Sequence, residues 1–190
     1  FPMDTATYGG SFLYHLDEDR VYVGFVVGLD YADPRFQPFE AYQQFKNHPS
    51  IKALLDGGEL LAYGARTIVE GGWQSMPTLE MPGAMLVGDA GGTLNVPKIK
   101  GVHQAIRSGM LAAEHLAVNN EATGWDAKLR ASVVVAELKK VRNFKPAFKK
   151  GRLFGLLNAG WETITFGLSP WTLKVKADWS SLKKLSEAES

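Results

Sequence analysis

The residues best suited to chemistry lie in one run, Gly83-Ala84-Met85-Leu86-Val87-Gly88-Asp89-Ala90-Gly91-Gly92-Thr93-Leu94-Asn95-Val96-Pro97. Its apolar start, Ala84 to Val87, predicts a strand buried on both faces, and the glycines follow at once. A carboxylate directly after such a strand, here Asp89, can accept hydrogen bonds from a sugar-like hydroxyl chain. Adjacent glycines let backbone amides approach a phosphate or a planar ring. The same residues also suit a structural turn in which Asp89 caps the next helix. A second pair, Gly9-Gly10, reads by itself as a bulge or bend before a strand.

Other chemistries are excluded by what the 190 residues contain. An apolar content of 45% with 22% charged residues is enough for one core and argues against disorder. Lys+Arg 21 against Asp+Glu 20 gives a net charge of +1, so there is no global field of the kind a dedicated nucleic-acid binder carries. With no cysteine, a disulfide framework, a thiolate nucleophile and an iron-sulfur cluster are impossible within these residues. His15, His48, His103 and His115 have no metal-ligand spacing and are expected in surface or capping roles. No Gly-x-Ser-x-Gly elbow or carboxylate pair points to hydrolysis. A Gly-x-Gly-x-x-Gly after a strand, the usual other half of a dinucleotide site, does not occur, and the opening Phe1-Pro2 suggests a piece of a longer protein.

The elements that would position these residues follow from periodicity. Ser11–Leu16 and Val21–Val27, separated by Asp17-Glu18-Asp19-Arg20, predict a β-hairpin. Phe39, Tyr42 and Phe45 suit one face of a short helix ending before His48-Pro49. Leu60 to Val69 is expected as a strand, bending at Gly71-Gly72 into a second stretch, Trp73 to Leu79, so the first third reads as mainly antiparallel β. Val102, Ala105, Ile106, Gly109, Met110, Ala113 and Leu116 mark an amphipathic helix over 101–117, and a further helix is expected over 125–142.

From Lys139 to Arg152 the chain is basic, with no acidic residue between Glu137 and Glu162, and it leads into Phe154, Leu157, Trp161, Phe166 and Trp171. Asn158, Glu162, Ser169 and Pro170 interrupt the apolar stretch, which disfavours a transmembrane pass. Cations beside aromatics favour a lipid surface over RNA, with ordinary core packing as the bland alternative. The charged tail from Lys174 is expected to fray at its end.

Read together, several blocks narrow the choice: Tyr8-Gly9-Gly10-Ser11-Phe12-Leu13-Tyr14-His15, Gly24 to Tyr31, His48-Pro49-Ser50-Ile51, Tyr63-Gly64-Ala65-Arg66, Gly71 to Ser75 and Asn95-Val96-Pro97-Lys98-Ile99-Lys100-Gly101. In this order they resemble the electron transfer flavoprotein-ubiquinone oxidoreductase family, over at least Tyr8 to Leu116. The resemblance implies an α+β fragment of a glutathione-reductase-like FAD flavoprotein with an antiparallel β-rich quinone-binding domain. It divides the chain into a ubiquinone-binding portion (1–81), part of an FAD-binding domain (82–120) and a helical, membrane-facing C-terminal portion (121–190). It implies FAD as cofactor, with a [4Fe-4S] cluster in the parent whose ligands are not in this chain. Ubiquinone, electron transfer flavoprotein and a membrane surface are the implied partners, with no nucleic acid. The implied location is the inner membrane, on the mitochondrial matrix face or bacterial cytoplasmic face.

Carried over position by position, Gly88, Asp89, Leu94, Asn95, Val96 and Gly101 look like cofactor-binding residues. Gly9 and Gly10 look like the glycines at the quinone head group. Phe154, Leu157, Trp161, Phe166 and Trp171 look like the membrane contact. Lys98 and Lys100 stand either near an anionic reduced flavin or as a solvated pair. Many relatives carry Thr where this chain reads Val102-His103-Gln104, which puts a hydroxyl contact to flavin in doubt and leaves Gln104 as a substitute. No residue is singled out as catalytic, and the isolated chain is expected not to turn over. A flavin-dependent reductase of isoprenoid lipids and a non-enzymatic membrane-binding module remain the alternatives.

Overall fold

A computed structural model describes residues 1–99 and 101–188, in two compact units: 1–64 with 176–190, and 65–175. The architecture is α+β, with small antiparallel sheets and helices.

In the first unit, β1 (Gly9–Leu16) and β2 (Arg20–Val27) pair antiparallel in the register Gly9 to Val27 through Leu16 to Arg20. The hairpin turns through Glu18 and Asp19, both at positive φ, a conformation that the short Asp side chain tolerates and Glu adopts less readily. Helix α1 (Pro38–Lys46) has proline in its first turn and sets Tyr42 and Phe45 against Phe25. The Tyr42 hydroxyl donates to the Val23 carbonyl at 2.9 Å, and burial pushes that phenol above its ordinary pKa. Phe39, expected on the same face, is exposed. The chain does stop at His48-Pro49, but a second helix begins there, α2 (Pro49–Leu55), with His48 Nδ1 accepting from Ser50 N at 3.4 Å as its cap.

The expected strand from Leu60 to Val69 does not form, and Leu60, Leu61 and Tyr63 are exposed. A β-propensity run needs a ladder partner for its N–H and C=O groups, and this one pairs with none of the described strands. The first third is therefore one hairpin and two helices. The expected stretch from Trp73 contains only a 3-10 turn at Trp73–Ser75.

In the second unit, β3 (Glu80–Met81) pairs with β4 (Ala84–Met85), and helices α3 (Val102–Asn119), α4 (Trp125–Arg130), α5 (Val133–Lys140), α6 (Phe144–Phe148) and α7 (Arg152–Ile164) follow. Leu79, Ala112, Trp125, Leu129, Val134 and Val135 form its core. The helix expected over 125–142 is broken at Ala131-Ser132, where Ser132 turns extended and its hydroxyl donates to the Leu129 carbonyl at 2.6 Å. Such local side-chain bonding competes with helix continuation. The N-terminus of α4 is held by Glu80, whose carboxylate accepts from Gly124 N at 3.1 Å and Asp126 N at 2.7 Å, while Leu79 N donates back to Asp126 at 3.0 Å.

One correction concerns packing. The strand expected to be buried on both faces is two residues long, and Leu86 and Val87 behind it are 38% and 37% exposed. In α3 the apolar stripe faces outward: Val102, Ile106, Met110 and Leu116 are exposed, whereas Gln104, Ser108, Ala112 and His115 are buried. Helix α7 has the same inverted pattern. Gly155, Asn158 and Glu162 are buried, and Leu153, Phe154, Leu156, Leu157, Trp161 and Ile164 are exposed.

The inward polar side of α7 is served by a network rather than by apolar contacts. Asn143 donates to Glu162 Oε1 at 2.7 Å and to the Trp171 carbonyl at 3.0 Å, and its own oxygen accepts from Leu173 N at 2.8 Å. The buried Arg142 guanidinium donates to the carbonyls of Lys139, Gly167, Ser169 and Trp171 and to the Thr172 hydroxyl, pinning residues 167–172. Gly155 lets α6 approach α7, because a Cβ there would collide with the Phe148 ring. No helix among the described residues is long and apolar enough to cross a membrane.

Candidate functional site

The run of chemistry-bearing residues folds as a 3-10 turn at Gly88–Gly91 between β4 and α3. Gly88, at φ +59°, donates its N–H to Ser108 Oγ at 2.9 Å, and Ser108 donates in turn to the Ala105 carbonyl at 2.9 Å, fixing the turn to the buried side of α3. Gly92 closes the turn in the left-handed conformation at φ +75°. Gly101 stands at the start of α3, where an added Cβ would lie 3.1 Å from Asp89 Oδ1 and 2.9 Å from Leu94. Asp89 does not cap α3, since that helix has no side-chain cap bond.

Several polar atoms in this turn are buried without a hydrogen-bond partner: Asp89 Oδ1, Thr93 Oγ1, both amide atoms of Asn95, and Gln104 Oε1. Thr93, Asn95 and Gln104 are fully buried. Each such atom costs roughly 1–3 kcal/mol when nothing pairs it, so a cluster of them fits a polar ligand with both donors and acceptors. Leu94 and Val96, with Gly71, Gly72, Trp73 and Pro97, line a small, partly open recess.

Glu137 of α5, a residue that sequence reasoning missed, reaches this segment. Its Oε1 pairs with Lys98 Nζ at 2.6 Å, its Oε2 accepts from Gln104 Nε2 at 2.6 Å, and His103 Nε2 lies 3.7 Å away. Lys98 is thus a paired cation that is still about half exposed to solvent. Lys100 lies outside the described residues. No signal in the sequence links Glu137 to Lys98, because their separation matches no helix or hairpin spacing. Thr93 was likewise unmarked, as one hydroxyl among turn residues. His115 departs from the expected surface role: it is buried, and its Nε2 lies 3.1 Å from the Thr123 carbonyl.

Hydrogen bonding from Lys98 holds the Glu137 carboxyl below its ordinary pKa, and Arg130 does the same for Asp126. A depressed folded pKa means that the stabilisation is complete above the unfolded value and is lost as pH falls through the folded one. The urea midpoint of the chain should therefore fall on acidification below the ordinary carboxylate range, and less steeply in the Asp126→Asn variant. A midpoint that stays level through that range would refute this.

Gly9 and Gly10 open β1 and are both exposed. A Cβ at Gly9 would strike the Val26 carbonyl, whereas the space around Gly10 is open, so the backbone of Gly10 can be approached closely. The five aromatic and leucine residues expected at a membrane are gathered by α7 and the turn after it. Phe154, Leu157 and Trp161 are exposed along the helix, Phe166 and Trp171 follow it, and Trp161 stacks on Trp171 at 6.1 Å. Lys150 sits over the Phe154 ring at 5.3 Å. No group of three or more His, Asp or Glu among the described residues is arranged to hold a metal ion.

This is a module with one glycine-opened hairpin and one polar, glycine-lined turn, and its sequence relatives are flavoprotein oxidoreductases. Residues 1–68 match the family model described as ETF-QO, ubiquinone-binding. The chain is 45% identical over 179 residues to the mitochondrial electron transfer flavoprotein-ubiquinone oxidoreductase of Oryza sativa subsp. japonica, covering 92% of this chain and 31% of that protein. It is 49% identical to the Arabidopsis thaliana protein of that name, covering 92% of this chain and 28% of the relative. It is 44% identical to the Homo sapiens one, covering 96% and 33%. The chain is a segment about a third the length of these relatives, similar along nine-tenths of itself to electron transfer flavoprotein-ubiquinone oxidoreductases.

Proposed function

We propose that this chain is part of a membrane-associated flavoprotein that passes electrons from reduced electron transfer flavoprotein to ubiquinone, and that it is inactive alone. The observation that carries the reading is similarity of 44–49% identity along nine-tenths of the chain to oxidoreductases of that name. In this reading the parent is a glutathione-reductase-like FAD enzyme on the inner membrane. Residues 1–81 serve ubiquinone, 82–120 form part of the FAD domain and 121–190 face the membrane. The [4Fe-4S] ligands come from other parts of the parent, since this chain has no cysteine.

The buried unpartnered atoms of Asp89, Thr93 and Asn95 fit FAD, whose hydroxylated chain and imide edge offer both donors and acceptors. FAD, when bound, supplies the redox chemistry. Asp89 would accept from the hydroxyl chain and Asn95 would meet the ring edge. Gly88 and Gly101 would keep the backbone low enough for approach, and Leu94 and Val96 would pack against the ring. Gly9 and Gly10 would orient the quinone carbonyl by letting it approach the backbone, where the one N–H of the pair that the ladder with β2 leaves outward could donate. The exposed Leu86 and Val87 after β4 and the outward apolar face of α3 suit cover by the rest of such an enzyme.

The membrane assignment rests on the inverted helix α7. Exposed Phe154, Leu157, Trp161, Phe166 and Trp171 next to Lys149, Lys150 and Arg152 suit an anionic lipid interface. Trp161→Glu should weaken cosedimentation with anionic liposomes several-fold while leaving the far-UV spectrum unchanged, and undiminished cosedimentation would remove this surface from the membrane.

The functional test is a visible absorption spectrum with iron quantification on the full-length protein purified from membranes. Flavin bands with stoichiometric cluster iron support the reading. Flavin without iron favours the isoprenoid-lipid reductase, and neither leaves only a membrane-binding module.

A further inference from the structure

The contacts of Glu137 carry a second, more specific conclusion. An ionised carboxylate has acceptors and no donor, so a side-chain amide bonded to it must turn its N–H2 group inward. Gln104 does so at 2.6 Å, and its carbonyl oxygen is consequently directed away from Glu137. That oxygen is fully buried and has no partner. Packing therefore does not explain the orientation, because a buried carbonyl left unpaired is unfavourable. The same carboxylate holds Lys98 at 2.6 Å, so one side chain of α5 ties down the turn at Val96–Lys98 and the first turn of α3 together.

A second observation points the same way. The turn packed against α3 carries Asp89 Oδ1 and the Asn95 amide, also buried and unpartnered. The unmet needs are complementary: Asp89 and Gln104 require donors, while Asn95 Nδ2 requires an acceptor. A ligand with an N–H flanked by carbonyl oxygens and a chain of hydroxyls meets all of them.

We propose that Glu137 is a positioning residue for the cofactor site, fixing Gln104 as a permanent acceptor for an N–H or O–H donor of the ligand. Glu137 does not touch the ligand, and its effect passes through Gln104. The inference rests on the flavin reading above, and it adds the residue that sets the polarity of one contact.

The test compares FAD retention and the flavin absorption band in the full-length protein and three variants, Glu137→Gln, Gln104→Leu and the double variant. Glu137→Gln substitutes an amide that donates as well as accepts, so Gln104 is free to turn over. Each single variant should weaken FAD retention about tenfold, in keeping with loss of one hydrogen bond to a buried polar group. The double variant should lose about tenfold and not a hundredfold, since both changes remove the same interaction. Both single variants should shift the flavin band in the same direction, which a purely structural role for Glu137 would not do. If Glu137→Gln does not fold, Gln104→Leu with Glu137 intact must still reduce retention and move the band. Unchanged retention with an unshifted band, or strictly additive losses, would overturn the proposal. A wild-type protein purified without flavin would instead overturn the flavin reading itself.

Discussion

Asn95→Leu should make the isolated chain more stable and, in the full-length flavoprotein, strip it of cofactor. Both amide atoms of Asn95 are buried and unpartnered, and the residue is fully enclosed. Removing an unsatisfied buried polar group relieves a penalty of about 1–3 kcal/mol, and leucine repeats the branched heavy-atom skeleton of asparagine with no polar atom to satisfy, its bulkier methyl groups offsetting part of that gain. A urea denaturation curve of the isolated chain should move to higher midpoint at unchanged slope. In the parent, the ratio of flavin to protein absorbance should fall at least tenfold, because the contact that the ring edge would use is gone. A lower midpoint would mean that the amide is already satisfied in the folded chain, and would end the argument that it waits for a ligand. Opposite signs on stability and occupancy are expected wherever a site is held unsatisfied for a partner.

Trp125→Ala should cost about 3–5 kcal/mol, the usual penalty for emptying a buried indole site. Trp125 is fully buried at the start of α4 among Leu79, Ala112 and Leu129, 6.1 Å from the His115 ring. Its indole N–H donates to the Leu86 carbonyl at 2.9 Å, so it also anchors the segment between β4 and the Gly88–Gly91 turn. Thermal unfolding followed by near-UV circular dichroism should show a fall of many degrees, while Trp125→Phe, which keeps a ring and loses one hydrogen bond, should lose much less. Equal losses in the two variants would assign the effect to the hydrogen bond and not to packing. Because the core and the candidate site share this residue, Trp125→Ala should also reduce flavin retention in the parent, whereas Asn95→Leu separates the two properties.

Some of this was readable from residue order alone. The hairpin followed from alternation on either side of Asp17-Glu18-Asp19-Arg20, and α3 from apolar spacing, to within a residue or two at each end. The helix covering the first aromatic cluster was legible for the same reason, as was its stop at His48-Pro49. What failed was everything that depended on a neighbour. Leu60 to Val69 has the composition of a strand and no strand to pair with among the described residues. Ser132 broke a helix that periodicity carried through, because its hydroxyl found a backbone carbonyl one turn back. Periodicity marked α3 as amphipathic without saying which side meets the core, since a moment has a direction on the helix but no knowledge of what it faces.

The residue types alone determined that no thiol or cysteine-metal chemistry can occur in this chain, where glycines open the backbone, and which family the ordered blocks resemble. Those properties are local or compositional, so linear order preserves them. Tertiary structure alone decided that Gln104, Ser108 and His115 turn inward while Val102, Ile106 and Met110 turn out, that Asn95 is buried without a partner, and that Glu137 meets both Lys98 and Gln104. Those are pairings across the packed unit, and their energies come from burial and charge contact between residues whose separation along the chain has no periodic signature.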